Sequence, residues 1–505
     1  MNARTAAGLA AAAAASFLGG APRWYKAGLL IALLFNVPLY AFAGPTVAAW
    51  AITAEFIATL ALALHAHPLA PGGLLALEGV LLGLAQPAAL YQEVEHGLPI
   101  LLLLVFMVAA IAFMEELLVY VFSRLLTAVH SPTAMALGMC LAGAVLSAFL
   151  DALTVIAVVM TVALGFYRVY FATAAGLAHA GDEQLGRESL LEPGRLVELA
   201  RLRAALRGLL MHAAVGTALG GVCTLVGEPQ NLLIGHAVGW NFIGFARAMA
   251  PVSLPVLFAG LLTCVLVERF GLFGFGTPIP AAARAALLQF ERDAAARRTP
   301  RDRWRLLARA AAAVLLVVAL AFHWAEVGLI GLAIVVLLTA LLGVVEEHRL
   351  ADAMKTALPF TALLVVFFAV VAVIRGQQLF APVIHAVLAQ QGAAQAGWMY
   401  LANGLLSAVS DNVFVATIYM GELQHAFAAG QLAPAQFAHL AVAVNAGTNI
   451  PSIATPNGQA ALLFLLTSAL APLLRLSYGR MCWMALPYLV VTSAVGWVAV
   501  VYLVR

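Results

Sequence analysis

Charge is scarce in this chain. Asp, Glu, Lys and Arg make up 10% of its 505 residues, hydrophobic residues make up 64%, and the mean hydropathy is +1.00. Soluble domains carry about 25% charged residues, so this composition excludes one and requires a lipid-embedded protein. Strands of alternating apolar and polar residues are missing as well, which excludes a membrane β-barrel. Cysteine is confined to Cys140, Cys223, Cys264 and Cys482, all in or beside apolar segments. Their spacing builds neither a disulfide framework nor a zinc site. Protease signatures are lacking too. Glu346-Glu347-His348 has no second histidine to complete H-E-x-x-H, and no Gly-x-Ser is present. An intramembrane enzyme therefore has no motif here. The net charge of +3 means little in itself; no nucleic-acid partner is expected.

What the chain does have is a pair of motifs, each carried twice. Ser147-Ala-Phe-Leu-Asp151-Ala-Leu-Thr154 and Ser407-Ala-Val-Ser410-Asp411-Asn412-Val each place one aspartate inside an apolar segment. The second pair is Gly220-Gly-Val-Cys-Thr224-Leu-Val-Gly227-Glu228-Pro229-Gln230-Asn231 and Gly447-Thr-Asn449-Ile-Pro-Ser452-Ile-Ala-Thr455-Pro456-Asn457. Here Gly220 and Pro229 stand nine positions apart, as do Gly447 and Pro456, which sets a register of 227 (229 to 456) against 260 for the aspartates (151 to 411). Paired Gly/Pro interruptions at matching places point to a transporter's binding site.

Apolar spans read as 27–44, 45–64, 70–91, 98–123, 132–166, 207–242, 250–268, 306–322, 325–344, 356–374, 393–424, 437–472 and 482–504. The four that hold the motifs exceed the ~20 residues of one crossing. Basic residues cluster at Arg23 and Lys26, at Arg124, in 168–207 and 269–309, at Arg349 and Lys355, and at Arg475 and Arg480. Cytoplasmic loops carry the excess of such residues. The clusters fall on one side if 132–166 and 393–424 are re-entrant hairpins entering from opposite faces, with 207–242 and 437–472 as broken crossings. Only Arg247, Arg375 and Arg505 then lie outside. The fold expected is an all-α polytopic membrane protein, an inverted repeat of about 11 transmembrane helices plus two re-entrant hairpins and two broken helices. Its N-terminus, including Arg4, is cytoplasmic. The Ala-rich run to Ala21 reads as a short helix entering the first span rather than as a leader.

An aspartate at mid-membrane costs about 2.5–3.5 kcal/mol, so Asp151 and Asp411 are expected to be protonated or to hold a cation. Burial makes a carboxyl keep its proton, and a bound cation makes it let go; a group that holds one or the other couples their fluxes. The bland reading is that each aspartate caps a helix at a hairpin tip, but two at matching places favour an ion site. Thr154, Ser147, Ser407, Ser410, Asn412, Gln230, Asn231, Asn449, Thr455 and Asn457 offer neutral oxygens nearby, and Gly220, Gly227, Pro229, Gly447 and Pro456 are the structural breaks. Glu228, matched with Thr455 by the Gly/Pro register, is either a third titratable group or a carboxylate at the positive end of a half-helix. Glu55, Glu78, Glu115, Glu116, Glu326 and Glu422 read as interfacial or packing acids. His212 and His236 read as satisfied structural histidines.

The chain resembles the NhaB family of bacterial sodium/proton antiporters, in the wider ion-transporter superfamily. The likeness rests on Trp24-Tyr-Lys26, Pro71-Gly-Gly-Leu-Leu-Ala76, the Asp151 motif, Met211-His-Ala213, Gly216-Thr-Ala-Leu-Gly-Gly221 and Val226-Gly-Glu-Pro-Gln-Asn-Leu232. It continues in Leu358-Pro-Phe-Thr-Ala-Leu-Leu364, the Asp411 motif, Ala454-Thr-Pro-Asn-Gly-Gln-Ala460, Thr467-Ser-Ala-Leu-Ala-Pro472 and Leu476-Ser-Tyr-Gly-Arg480. The resemblance implies a multi-pass protein of the bacterial inner membrane that extrudes Na⁺, and Li⁺, in electrogenic exchange for H⁺, with no cofactor and as a homodimer. It also implies scaffold helices at 1–130 and 306–380, a transport part at 131–268 and 381–505, and a cytoplasmic loop at 269–305. A Na⁺-coupled organic-anion transporter of the same superfamily is the alternative. It is opposed by the aspartates at the hairpin tips and by the lack of Arg or Lys in the broken segments beyond Arg207 at the edge. A channel is opposed by the two inverted half-sites, which suit alternating access.

Overall fold

The computed structural model describes residues 12–13, 15–177, 181–355, 357–390 and 392–504; Arg4 and Arg505 of the charge reading lie outside them. Among the described residues every regular element is a helix. Seven helices are long and apolar enough to cross a membrane, with shorter apolar helices beside them. In chain order they are α1 (Arg23–Ala43), α2 (Pro45–Ala61), α3 (Leu69–Leu81), α4 (Pro87–His96), α5 (Leu98–Ala128), α6 (Pro132–Ser147), α7 (Ala152–Ala174), α8 (Pro193–Gly221), α9 (Pro229–Val238) and α10 (Phe242–Phe270). The connector carries α11 (Ala281–Ala296). There follow α12 (Pro300–Ala321), α13 (Val327–Leu342), α14 (Glu347–Lys355), α15 (Leu358–Gly376), α16 (Ala381–Leu388), α17 (Ala393–Ser407), α18 (Asn412–Ala428), α19 (Pro434–Asn449), α20 (Ala460–Thr467) and α21 (Tyr478–Tyr502).

The four long segments each break as expected. The segment 132–166 becomes α6, a tip and α7; 393–424 becomes α17, a tip and α18; 207–242 becomes α8 and α9; and 437–472 becomes α19 and α20. The expected span 70–91 does not run through. Gly83, at φ +74°, turns the chain after α3, and Pro87 opens the separate helix α4. A positive φ there is strained for any residue with a Cβ.

Helix starts in the two halves recur at 260 positions from α4 to the second hairpin: Pro87 and Glu347, Leu98 and Leu358, Ala152 and Asn412. Past the hairpins the spacing changes. Gly216 of α8 presses on the Cys140 carbonyl, and Gly447 of α19 presses on the Tyr400 carbonyl, 260 residues on. Gly216 and Gly447 are therefore equivalent, at a spacing of 231. The Gly/Pro register of 227 is corrected accordingly. Pro229 is the first residue of α9, whereas Pro456 lies in the turn before α20, which starts four residues later at Ala460.

Small residues let these helices touch backbone to backbone, the packing that holds helices together in lipid. A Cβ at Gly220 would lie inside contact distance of the Ala144 carbonyl of α6. An aromatic cluster joins α2 and α15 to the second hairpin: Phe56 and Phe367 lie 5.1 and 5.8 Å from Phe414, ring centre to ring centre. Between α7 and α8, Glu188 accepts from Arg203 at 2.6 Å and from Arg475 at 2.8 Å. The two guanidiniums hold its carboxyl below the usual range.

Candidate functional site

Both hairpin tips are closed by their aspartates. Asp151 is the N-cap of α7, where its Oδ2 accepts from the Thr154 N–H at 3.3 Å. Asp411 caps α18, where its Oδ1 accepts from the Val413 and Phe414 N–H groups at 2.8 and 3.2 Å. A side chain that satisfies the first free N–H groups fixes where a helix starts. The turns therefore fall at 148–151 and 408–411. The capping role that the bland reading assigned is real, and it leaves the remaining carboxylate lone pairs free for another partner.

Each tip is clamped to the broken helix of its own half in the same manner. Thr224 Oγ1 donates to the Ala148 carbonyl, and Thr455 Oγ1 donates to the Ala408 carbonyl at 2.6 Å. Gly227 sits against the carbonyls of Ser147 and Gly221; Gly458 sits against those of Ser407 and Ser452. These pairs repeat the spacings of 260 and 231, so Glu228 corresponds to Gln459, not to Thr455. Glu228 is the N-cap residue of α9 and Gln459 that of α20. The two broken helices meet through amides: Gln230 Nε2 donates to Asn449 Oδ1 at 2.7 Å, and Asn449 Nδ2 donates to Asn231 Oδ1 at 3.1 Å.

Between the tips lies a cavity of about 20 Å³, lined by Asp151, Glu228, Asp411, Asn412, Gln230 and Phe360 among others. That is room for about one water-sized occupant. Three carboxyl groups, from residues up to 260 positions apart, share this wall. Four half-helices, α7, α9, α18 and α20, begin beside it, and their positive ends favour the carboxylates. The other expected ligands build the frame. Asn231 donates to the carbonyls of Gly221 and Thr224, both at 2.7 Å, and Ser407 donates to the Thr448 carbonyl. Thr455 clamps its tip, and Asn457 points away to donate to the Ala61 carbonyl of α2 at 2.6 Å. The hydroxyls of Ser147 and Ser410 are buried without a hydrogen-bond partner among the described residues, as is Glu228 Oε1. Among the described residues no group of three or more His, Cys, Asp or Glu side chains is arranged to hold a metal ion.

Sequence reasoning missed Phe360, Gly458 and Gln459. An aromatic residue in an apolar span carries no signal of its own. Asn457-Gly458 is a turn signal that marks the break but not its role. Gln459 is found only once the spacing of 231 is known.

Two of the helices that start at this cavity, α9 and α18, also wall a larger one of about 540 Å³. There Leu232, His236, Thr417 and Glu422 face Glu93, Phe368 and Arg375. Arg375 is paired with Glu93 and packs on Gly421. His212 is a satisfied structural histidine, hydrogen-bonded to Tyr488 at 2.6 Å and to Glu268 at 3.1 Å. His236, expected to be of the same kind, lines this vestibule instead. Glu116 pairs with Arg309 at 2.7 Å, and Asn36 Nδ2 bridges Glu55 and Glu78 at 2.7 and 2.9 Å.

The family model described as "Bacterial Na+/H+ antiporter B (NhaB)" matches residues 6–505. A relative from Pseudomonas entomophila, named Na(+)/H(+) antiporter NhaB, is 56% identical over 494 residues, covering 98% of this chain and 99% of its own. One of the same name from Pseudomonas paraeruginosa is 57% identical over 492 residues, covering 97% of this chain and 98% of its own.

Proposed function

This chain belongs to the NhaB family of bacterial Na⁺/H⁺ antiporters, and we propose that Asp151 and Asp411 are the groups on which its Na⁺ and its protons exclude one another. The observation that carries this is the shared wall: carboxyls from the two hairpin tips line one ion-sized cavity. With no cation present, burial favours the protonated carboxyls; a cation in the cavity favours the ionised ones. Because one small volume serves both states, the protein carries either cargo and not both. Asn412 and Gln230 add neutral side-chain oxygens to the wall.

In this reading the transport part that moves is 131–268 and 381–505, which takes in α6 to α9, nearly all of α10, and α16 to α21. The helices of 1–130 and 306–380 stand still as scaffold and as the contact of a homodimer. Phe360 closes the cavity from the scaffold side, and the ring cluster of Phe56, Phe367 and Phe414 is the surface that slides. The vestibule along α9 and α18 is the route to the outer face, the side on which the charge distribution puts Arg375. The N-terminus is cytoplasmic, the membrane is the bacterial inner one, Li⁺ is a second cargo, and no cofactor takes part. An anionic substrate is disfavoured, because it would meet three carboxyls and no basic side chain among the cavity's described lining residues.

The test is proton flux in inside-out vesicles with a pH-reporting dye. Asp151→Asn and Asp411→Asn are each expected to abolish the Na⁺-dependent proton signal while the protein still inserts. Full activity in either variant would remove that residue from the site.

A further inference from the structure

We propose that four arginines at the membrane edge, Arg203 and Arg207 of α8 with Arg475 and Arg480 at the start of α21, bind the phosphate of an anionic phospholipid. None of the four lines the cation cavity.

The sequence puts three of them at the ends of apolar spans. Arg207 opens 207–242, and Arg475 and Arg480 precede 482–504. Folding brings these ends together. Arg207 Nη1 donates to the Leu474 carbonyl at 2.6 Å, and Arg480 Nη1 donates to the next carbonyl, that of Arg475, at 3.1 Å. Arg203 and Arg475 share the carboxylate of Glu188, at 2.6 and 2.8 Å. Arg203 also donates to the Tyr167 hydroxyl at 2.9 Å. Glu188 thus serves two of the four guanidiniums. Arg207 and Arg480 pair with no carboxylate among the described residues.

Arg207 is the residue that calls for an anion. The charged groups that act on it are Arg480, Arg203 and Arg475, all of its own sign. It is half-buried, so solvent and salt screen that repulsion only in part. A guanidinium so placed is disfavoured until a negative group joins it. Guanidinium carries five N–H donors in a planar fork that fits a phosphate. Arg207 and Arg480 each engage a single carbonyl among the described residues, which leaves most of those donors for a ligand.

The surroundings say which anion. Tyr478 and Trp483, on either side of Arg480 in the chain, are exposed, and Trp483 packs on Phe273 with ring centres 4.9 Å apart. Phe270 and Leu272 are exposed beside Phe273 in the chain. Exposed Trp and Tyr at the end of an apolar span mark the level of the lipid headgroups. Basic pockets between helices on the cytoplasmic side, where the charge distribution puts this edge, take anionic headgroups. The bias of basic residues to that side accounts for arginines being there, but not for four around one carboxylate. A lipid phosphate adds a second negative charge to that of Glu188, and it ties α8 of the first half to the start of α21 in the second.

The experiment is a melting curve of the purified full-length protein, delipidated in neutral detergent at low salt, against added phosphatidylglycerol. That lipid is expected to raise the melting temperature; phosphatidylcholine and inorganic phosphate at equal concentration are not. The double variant Arg207→Gln/Arg480→Gln is expected to move the midpoint of the lipid titration upward about fivefold for each arginine removed. Arg349→Gln, in another basic cluster of the same side, is expected to leave it unchanged. A wild-type midpoint in the double variant would overturn the proposal, as would an equal shift in Arg349→Gln or an equal response to phosphatidylcholine. A full response to inorganic phosphate overturns it too, since the site would then take a free anion and no lipid. Should the double variant not fold, Arg480→Gln decides, because that side chain is exposed. A midpoint about fivefold higher there supports the site, and an unmoved one overturns it.

Discussion

Glycine at 220 shows how one side chain, or its absence, sets the site. The Ala144 carbonyl occupies the place a Cβ would take, and it belongs to a helix backbone that cannot yield as a side-chain tip does. Gly220→Ala is therefore expected to push α8 off the hairpin, at a cost of about 1–3 kcal/mol. A fall in melting temperature with loss of exchange would show it, beside a near-neutral Gly73→Ala, whose nearest neighbour is a Val366 methyl at 3.7 Å. An unchanged Gly220→Ala protein would mean that the close approach is not needed. The aspartates were legible in the sequence because a charge within a continuous apolar run has few bland explanations. Phe360 was not, because an aromatic residue among aliphatic ones reads as packing whether or not it closes a cavity. Thr154, Asn231 and Asn457 were legible as polar residues near the motif. Their roles were not, since a hydroxyl or amide serves a helix end as readily as an ion.

At the scale of the element, each hairpin is held by one threonine. Thr224 and Thr455 satisfy the tip carbonyls of Ala148 and Ala408, and Thr455 Oγ1 also accepts from the Gly458 N–H at 3.2 Å. Thr224→Val and Thr455→Val leave a half-buried carbonyl unmet, which costs about 1 kcal/mol each, with the larger loss expected at Thr455. The clamps serve separate hairpins, so the double variant is expected to lose the sum within about 0.5 kcal/mol. Melting curves of the two singles and the double check this, and strong non-additivity would show that the tips are one unit. The four breaks were visible in advance as apolar runs too long for one crossing. The alignment between halves was not. Matching the most conspicuous residues, Gly with Gly and Pro with Pro, gave a spacing of 227. The contacts that the helices make give 231, because Pro opens the half-helix in one repeat and precedes it by four residues in the other.

Over the whole molecule, two halves bring carboxyls 260 positions apart to one wall, and the rings of Phe56 and Phe367 pack α2 and α15 against Phe414 of the second hairpin. That all-helical membrane architecture could be read from composition and span length alone, since lipid permits few alternatives. Which helices lean on which could not, because packing among Ala, Leu and Val leaves little trace in sequence. In the proposed exchange, Na⁺ and protons occupy the same carboxyls. The most direct measurement is the equilibrium Na⁺ affinity of the purified protein by titration calorimetry across a range of pH. Where the carboxyls are protonated, affinity is expected to weaken at least about tenfold for each unit of acidification, one factor of ten for every proton displaced. A Na⁺ affinity that stays constant as the pH falls would contradict it.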